Sequence, residues 1–203
     1  MNATEATLRS LHGIAELVLA GPQHRASGRI RLRATPGGFG TTLEPDLRVE
    51  GDQLVAGTRR IPLEGATYRD VARAAGVEAG SPAGLYKDGS GAGPDERIVL
   101  DPTALRAAVE AFAAGEEALR RFAPAGEPVL WPEHFDLAVT VDEINYGVSP
   151  GDGYSPEPYA YVGPHRPRQG PFWTAPFGAA RALRELPDIA AFFAEGRDAA
   201  ARS

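Results

Sequence analysis

Residues 131–142 read Trp131-Pro132-Glu133-His134-Phe135-Asp136-Leu137-Ala138-Val139-Thr140-Val141-Asp142. From Phe135 onward the apolar residues fall at every second position. Phe135, Leu137, Val139 and Val141 face one way, and Asp136, Ala138, Thr140 and Asp142 face the other. A period of two is the mark of a half-buried strand, because successive side chains leave a strand on opposite faces. If the strand begins as early as Glu133, His134 and Asp136 share its polar face. Glu133 then points to the opposite face, unless Pro132 bends the chain.

Working outward, the turn-rich stretch Gly147 to Pro158 follows this strand, and Tyr159 to Val162 reads as another one. Pro187-Asp188 opens a closing helix that carries Ile189, Phe192 and Phe193. Toward the amino terminus, Asp101-Pro102 opens the strongest helix of the chain, Asp as the cap and Pro in the first turn. Its apolar stripe is Leu105, Val109, Phe112, Leu119 and Phe122. A flexible loop is expected over Lys87 to Glu96, which holds no large apolar residue to anchor it. Thr67 caps a short helix over Tyr68 to Ala75, and Gly76 stops it.

Gly51-Asp52 joins Leu47–Glu50 to Gln53–Ala56 as a hairpin, with a further short strand at Arg60 to Leu63. Gly28 to Ala34 alternates Ile30, Leu32 and Ala34 with Arg29, Arg31 and Arg33, and Pro36-Gly37-Gly38 turns the chain. Leu8, Leu11, Ala15, Val18 and Leu19 fall at helical spacing, so Thr4 to Ala20 is expected to be a helix ended by Gly21-Pro22. Strands and helices do not alternate regularly. The expectation is therefore one α+β domain spanning residues 1–203, a mainly antiparallel sheet with helices packed on it, and not a doubly wound parallel sheet.

Composition narrows the function classes. The net charge of -6 gives no positive field for nucleic acid or an anionic membrane, so neither is an expected partner. The chain has no cysteine, which removes disulfides and all thiolate chemistry. No apolar run approaches the roughly 20 residues of a membrane helix. The start, MNATEATLRSL, lacks the basic and apolar regions of a secretory signal, so a cytoplasmic setting is expected.

The densest chemistry is again at residues 131–136. A carboxylate beside an imidazole fixes its tautomer and raises its proton affinity, which suits acid–base work. Asp136 and His134, with Glu133 and His12, are the candidate catalytic groups; the alternative is a structural turn in which His134 bonds backbone and Trp131 packs on the core. His12 sits beside the apolar stripe of its helix, where a hydrogen-bonded core histidine is the simpler reading. No His-x-His or His-Glu-x-x-His spacing exists, so no metal and no cofactor are expected.

Eleven of the sixteen aromatic residues lie between Trp131 and Phe193. Trp131, Tyr159, Tyr161 and Trp173 are candidate ligand-binding rings, and Arg31, within the Arg29/Arg31/Arg33 stripe, is a candidate for an anionic group. Each has a plainer reading, the rings as core and the arginines as a solvated sheet face. Gly147-Val148-Ser149-Pro150-Gly151 matches Gly-x-Ser-x-Gly by letter. Pro150, Gly151 and Gly153 follow the serine, however, so the helix that a nucleophile elbow needs is not expected. Gly89-Ser90-Gly91-Ala92-Gly93 lacks the lysine and helix of a phosphate loop.

The segments RIRLRATPGGFGT, LWPEHFDLAV, NYGVSPGDGYSPEPYAYVGP and GPFWTAPFGAA together resemble a group of uncharacterised actinobacterial proteins over nearly the whole chain. More distantly the order of parts is similar to a wider bacterial domain of unknown function, with Leu11-His12 in the first helix, the Phe135–Val139 strand, and an aromatic region around Pro156 to Tyr161. That wider domain lacks the Pro-Glu-His lead-in. The resemblance implies fold and boundaries and implies no activity.

Two functions follow as expectations. One is a small-molecule-binding protein, in its fullest form a cofactor-independent acid–base enzyme using a His/Asp site lined by aromatics. The other is a non-enzymatic interaction module, a homo-oligomer for example, that uses the carboxy-terminal aromatic surface.

Overall fold

The first helix does not end where proline was expected to end it. α1 covers Ala3–Ile14 and begins in a capping box, in which the Asn2 side chain and Glu5 exchange hydrogen bonds with each other's backbone. The next six residues, Ala15–Ala20, widen into a π-helical turn, and α2 continues over Gly21–Ser27 to Gly28 in the left-handed conformation. Pro22 can stay inside because of that widening. In a regular helix its ring would strike the carbonyl four residues back. Here the N–H of Gly21 already reaches five residues back, to the carbonyl of Glu16. The computed structural model describes residues 2–82, 84–86 and 89–202.

Among these residues ten strands form one sheet in which every neighbouring pair is antiparallel. The first five are β1 (Leu32–Thr35), β2 (Gly38–Thr41), β3 (Leu47–Glu50), β4 (Gln53–Ala56) and β5 (Arg59–Pro62). The second five are β6 (Val129–Trp131), β7 (Asp136–Val141), β8 (Ile144–Ser149), β9 (Tyr159–Pro164) and β10 (Ala179–Ala182). Each set is a meander of consecutive hairpins, and the sheet order is β10-β9-β8-β7-β6-β1-β2-β3-β4-β5. The two meanders meet at β1 and β6 through a single residue pair, Leu32 opposite Leu130.

So short a seam needs support from outside the sheet. α4 (Pro102–Phe122) supplies it by packing on β7 and β8 of one meander and on β1 and β2 of the other. Asp101 caps it through Thr103 and Ala104, as the sequence leads one to expect. α1 and α5 (Ile189–Ala201) lie against α4, and α3 (Tyr68–Ala75), capped by Thr67, covers β4 and β5. The result is a single α+β domain with one continuous core. No helix among the described residues is long and apolar enough to cross a membrane.

Several local expectations shift. β1 starts at Leu32, so Arg29 and Arg31 precede the strand and all three arginines of the stripe are exposed. The stretch taken as turn-rich from Gly147 begins inside β8, because a two-residue turn at Asp142-Glu143, both at positive φ, folds the chain straight back. β6, β2 and β10 are too short or too glycine- and alanine-rich to show an alternating pattern. Within the expected loop at 87–96, residues 87 and 88 lie outside the described residues. The rest is tied down: Ser90 bonds Glu16, Gly91 and Glu96 bond Arg9, and Asp95 bonds Arg69.

The π-helical turn also fixes that region. The carbonyl of Leu17 accepts the N–H of Gly80 at 2.9 Å, so the chain at Gly80 crosses the helix in contact with Gly21. A Cβ on Gly21 would lie 1.6 Å from the Gly80 carbonyl oxygen. Gly21→Ala is expected to cost at least about 2 kcal/mol, because backbone and not a flexible side chain must move. The expected fall in Tm is about 4–8 °C, read by circular dichroism. An unchanged Tm would show that the crossing is not a fixed contact.

Candidate functional site

The site is built on the turn between β6 and β7. Trp131 and Asp136 are paired across the hairpin, and Pro132 to Phe135 form its loop, closed by the Phe135 N–H to the Trp131 carbonyl at 2.8 Å. Phe135 has φ 54°, the left-handed region that a bulky residue seldom occupies. That conformation costs of order 1–3 kcal/mol. Burial of the ring offsets it. Phe135 is 3% exposed, lies edge-on to Phe39 at 5.3 Å and to Phe112 at 5.2 Å, and stacks on the His12 ring at 5.6 Å.

The expected strand start at Glu133 is thus a turn. Phe135 reaches the core by left-handed backbone and not by strand alternation. The same reversal carries Glu133 to the side that His134 and Asp136 occupy, where alternation would have sent it to the other. All three line one cleft of about 1230 Å³, large enough for a small organic ligand. α1 contributes Leu8, Arg9 and His12, and β8 and β9 contribute Asn145, Ser149, Tyr159 and Tyr161. Tyr154, Phe177 and His165 complete the wall, so three of the chain's four histidines border it.

Asp136 is the centre of this arrangement. It is 8% exposed, its Oδ2 accepts a close hydrogen bond from the Tyr161 hydroxyl, and its Oδ1 is buried with no hydrogen-bond partner. The Tyr161 ring lies flat over Gly147, where any Cβ would meet it at 2.6 Å, so the glycine is what allows the phenol to reach Asp136. Burial pushes the Asp136 carboxyl up to about 6; the Tyr161 bond and the nearby His134 pull it partly back, and Glu133 adds to the rise. The Tyr161 phenol is raised well above its ordinary value by burial and by the Asp136 charge. Glu133 Oε2 is a second buried oxygen without a partner.

His12 has a different situation. Its Nε2 lies 2.7 Å from the Pro132 carbonyl oxygen, which can only accept, so Nε2 carries the proton. Burial lowers the proton affinity of the ring, His134 lowers it further, and Glu16 and the Pro132 carbonyl act in the opposite sense. Glu16, in the π-helical turn, lies 3.9 Å from His12 Nε2 and uses the same oxygen to accept the Ser90 N–H at 2.7 Å. His12 therefore ties α1 to the β6–β7 turn through both its ring face and its N–H.

Tyr159 donates to Asp152 Oδ2 at 2.6 Å, and Asp152 Oδ1 accepts the N–H groups of Tyr154 and Ser155. That carboxylate organises the loop after β8. Ser149 is buried, accepts the Gly151 N–H at 3.2 Å and donates toward Asp152. It ends a strand that runs into this loop and into no helix, so the Gly-x-Ser-x-Gly lettering does not make a nucleophile elbow.

The structure thus gathers His12, Glu133, His134, Asp136, Tyr159 and Tyr161 around one cleft. It leaves Trp131, Trp173 and Arg31 outside its walls. The Arg31 guanidinium lies over the Trp131 ring at 5.6 Å, and Trp173 meets Phe172 edge-on at 5.0 Å. The aromatic cluster divides across the sheet: Tyr146, Phe172, Phe192 and Phe193 join the helix-side core, whereas Tyr154, Tyr159, Tyr161 and Phe177 form a contiguous group at the cleft. Tyr154 and Phe177 belong to the aromatic group of the last third that the sequence offers as pocket lining, whereas no spacing pattern links Asn145 or His165 to the site. Among the described residues no three His, Asp or Glu groups converge to hold a metal ion. No family model, no curated protein and no solved structure matches the chain.

The folded chain holds the Asp136 proton more tightly than the unfolded chain does. In this respect stability is greatest below about pH 4 and is lost as pH rises through about 6. Asp136→Asn removes that loss. The variant is expected to be more stable than the native chain at pH 7.5 by on the order of 2 kcal/mol, with the gain shrinking toward pH 4. Urea melts at the two pH values measure this, and a variant equally destabilised at both would show that Asp136 is a structural carboxylate.

Proposed function

We propose that the cleft binds a small molecule and that Asp136 exchanges a proton with it, with His134 as the second acid–base group. The observation that carries this reading is the Asp136 carboxyl itself. It is buried, one oxygen is anchored by Tyr161, and the other is without a partner in the wall of a ligand-sized cleft. An unsatisfied buried acceptor costs of order 1–3 kcal/mol, a cost that a folded protein retains where a ligand repays it.

The roles follow from geometry. The Tyr161 hydroxyl holds Oδ2, so Oδ1 is the oxygen left to accept a hydrogen bond from a ligand. A carboxyl near 6 is half-ionised about one pH unit below neutrality and keeps about a tenth of its protonated form at pH 7, so it can both take and return a proton. His134 is exposed, borders the same cleft and is near enough to favour the charged form of Asp136, which suits passing the proton onward to water. His12, with its N–H committed to the Pro132 carbonyl, is a positioning residue that holds the turn. Tyr159 and Tyr161 give the ligand apolar ring surface.

A fragment library screened by ligand-observed NMR, with binding mapped on amide spectra, tests the proposal. Fragments that perturb amides of residues 132–136, Tyr159 and Tyr161 are expected, and Asp136→Asn is expected to weaken them at least about tenfold, the loss of a charged hydrogen bond. Binding confined to other surfaces, or cleft binding indifferent to Asp136→Asn, would overturn it.

A further inference from the structure

Two buried carboxylate oxygens in this cleft have no hydrogen-bond partner, Asp136 Oδ1 and Glu133 Oε2. Both are acceptors, so a ligand that satisfies them must donate. Both groups line the same cleft, and Glu133 adds, as the smallest of the influences on Asp136, to the rise in its proton affinity, so the two charges repel. A neutral hydroxyl would fill a lone pair and leave that repulsion in place. A cation would remove both defects at once.

Among the described residues, the positive charge beside Asp136 is that of His134, which is exposed to solvent. Arg9 is the one guanidinium among the described residues lining the cleft, and it is committed to Glu96 at 2.7 and 3.2 Å and to the Gly91 carbonyl at 2.9 Å. His12 is held toward its neutral form by burial. Next to the carboxylates the wall becomes aromatic. Tyr161, bonded to Asp136, continues into Tyr159 at 6.4 Å and Phe177 at 6.2 Å, and Tyr154 meets Phe177 edge-on at 4.9 Å. Ring faces attract cations and accept alkyl stems, and Tyr154 is 48% exposed at the mouth.

We infer that the ligand of this cleft is an organic cation, an alkylammonium or alkylguanidinium, whose head donates to Asp136 Oδ1 and Glu133 Oε2 and whose stem lies on the Tyr154/Tyr159/Phe177 rings. This deepens the small-molecule reading above and rests on it. It assigns Glu133 to recognition of charge. The titratable groups that act on Asp136 are Tyr161 and Tyr159 from β9 and Glu133 and His134 from the turn, and Glu5, Arg9 and His12 from α1, Asp152 and Tyr154 from the loop after β8, and His165 after β9 line the same cleft. Ionisation of Asp136 near pH 6 turns the cation site on.

The test uses four probes of equal stem length, n-butylammonium, n-butylguanidinium, 1-butanol and butyrate, titrated into the full chain at pH 7.5 and followed on amide spectra. At least one cation is expected to perturb the cleft and to bind at least about tenfold more tightly than 1-butanol or butyrate. Its affinity is expected to fall about tenfold between pH 7.5 and pH 5. Glu133→Gln and Asp136→Asn should each weaken it at least about fivefold, with amide spectra confirming that both variants stay folded.

Equal or tighter binding of butanol or butyrate, or cation binding that ignores both variants, would overturn the inference. If the neutral or anionic probe enters the cleft and depends on Asp136, the small-molecule reading stands and only the charge assignment falls. If no cation binds while fragments do, the outcome is the same. If neither probes nor fragments enter the cleft, both fall.

Discussion

Everything at the candidate site depends on Phe135 keeping its ring in the core from a left-handed backbone. The ring touches His12 on α1, Phe39 on β2 and Phe112 on α4, so one side chain from the second meander joins the first meander and two helices. The two meanders share only the Leu32–Leu130 pair between β1 and β6. The aromatic contact between Phe135 and Phe39 is a further link between the two meanders. Aromatic pairs of this kind contribute about 0.5–1.5 kcal/mol each beyond area burial, enough together to hold the unfavourable φ.

The same constraint makes the chemistry. With Phe135 turned inward, Glu133 and His134 have only the outer side available, and Asp136 opens β7 facing them. The Pro132 carbonyl, left free by the tight turn, is taken by His12, so α1 is locked to the rim from which it contributes to the cleft wall. The π-helical turn continues the pattern four residues on. It buries Glu16 beside His12 and lets that carboxylate hold the Ser90 backbone, which brings Gly89 and Ser90 to the cleft wall. Strain in the turn, a widened helix and an unsatisfied carboxylate thus lie within one small region. Such departures from regular structure are retained where they are over-determined by their surroundings.

Much of the architecture was legible from residues alone. Leu47–Glu50 and Gln53–Ala56 about Gly51-Asp52, the Thr67-capped helix to Ala75 and the Asp101-Pro102 helix start all stand where local chemistry puts them. Each depends on neighbours within a few positions, through a cap, a turn or an alternating face. The failures were of another kind. Gly21-Pro22 reads as a helix stop unless one knows that the preceding turn is widened, and that widening is stabilised by Gly80, far along the chain. β2 and β10 carry Gly and Ala where a strand usually shows its apolar face, and they form because neighbouring strands offer them a ladder.

For the site, the sequence determined which chemistry was available: no thiolate, a net negative charge, and a compact run of Glu133, His134 and Asp136 beside many rings. Tertiary structure decided which of these groups meet. Tyr161 reaches Asp136 across 25 residues and His12 reaches Pro132 across 120. Arg31 and Trp131 turn to each other and away from the cleft. Periodicity reports only which way a side chain leaves its own strand or helix. Whether two such faces close on a common space depends on strand order, on the hand of a turn and on one ring in the core, and those are properties of the folded chain as a whole.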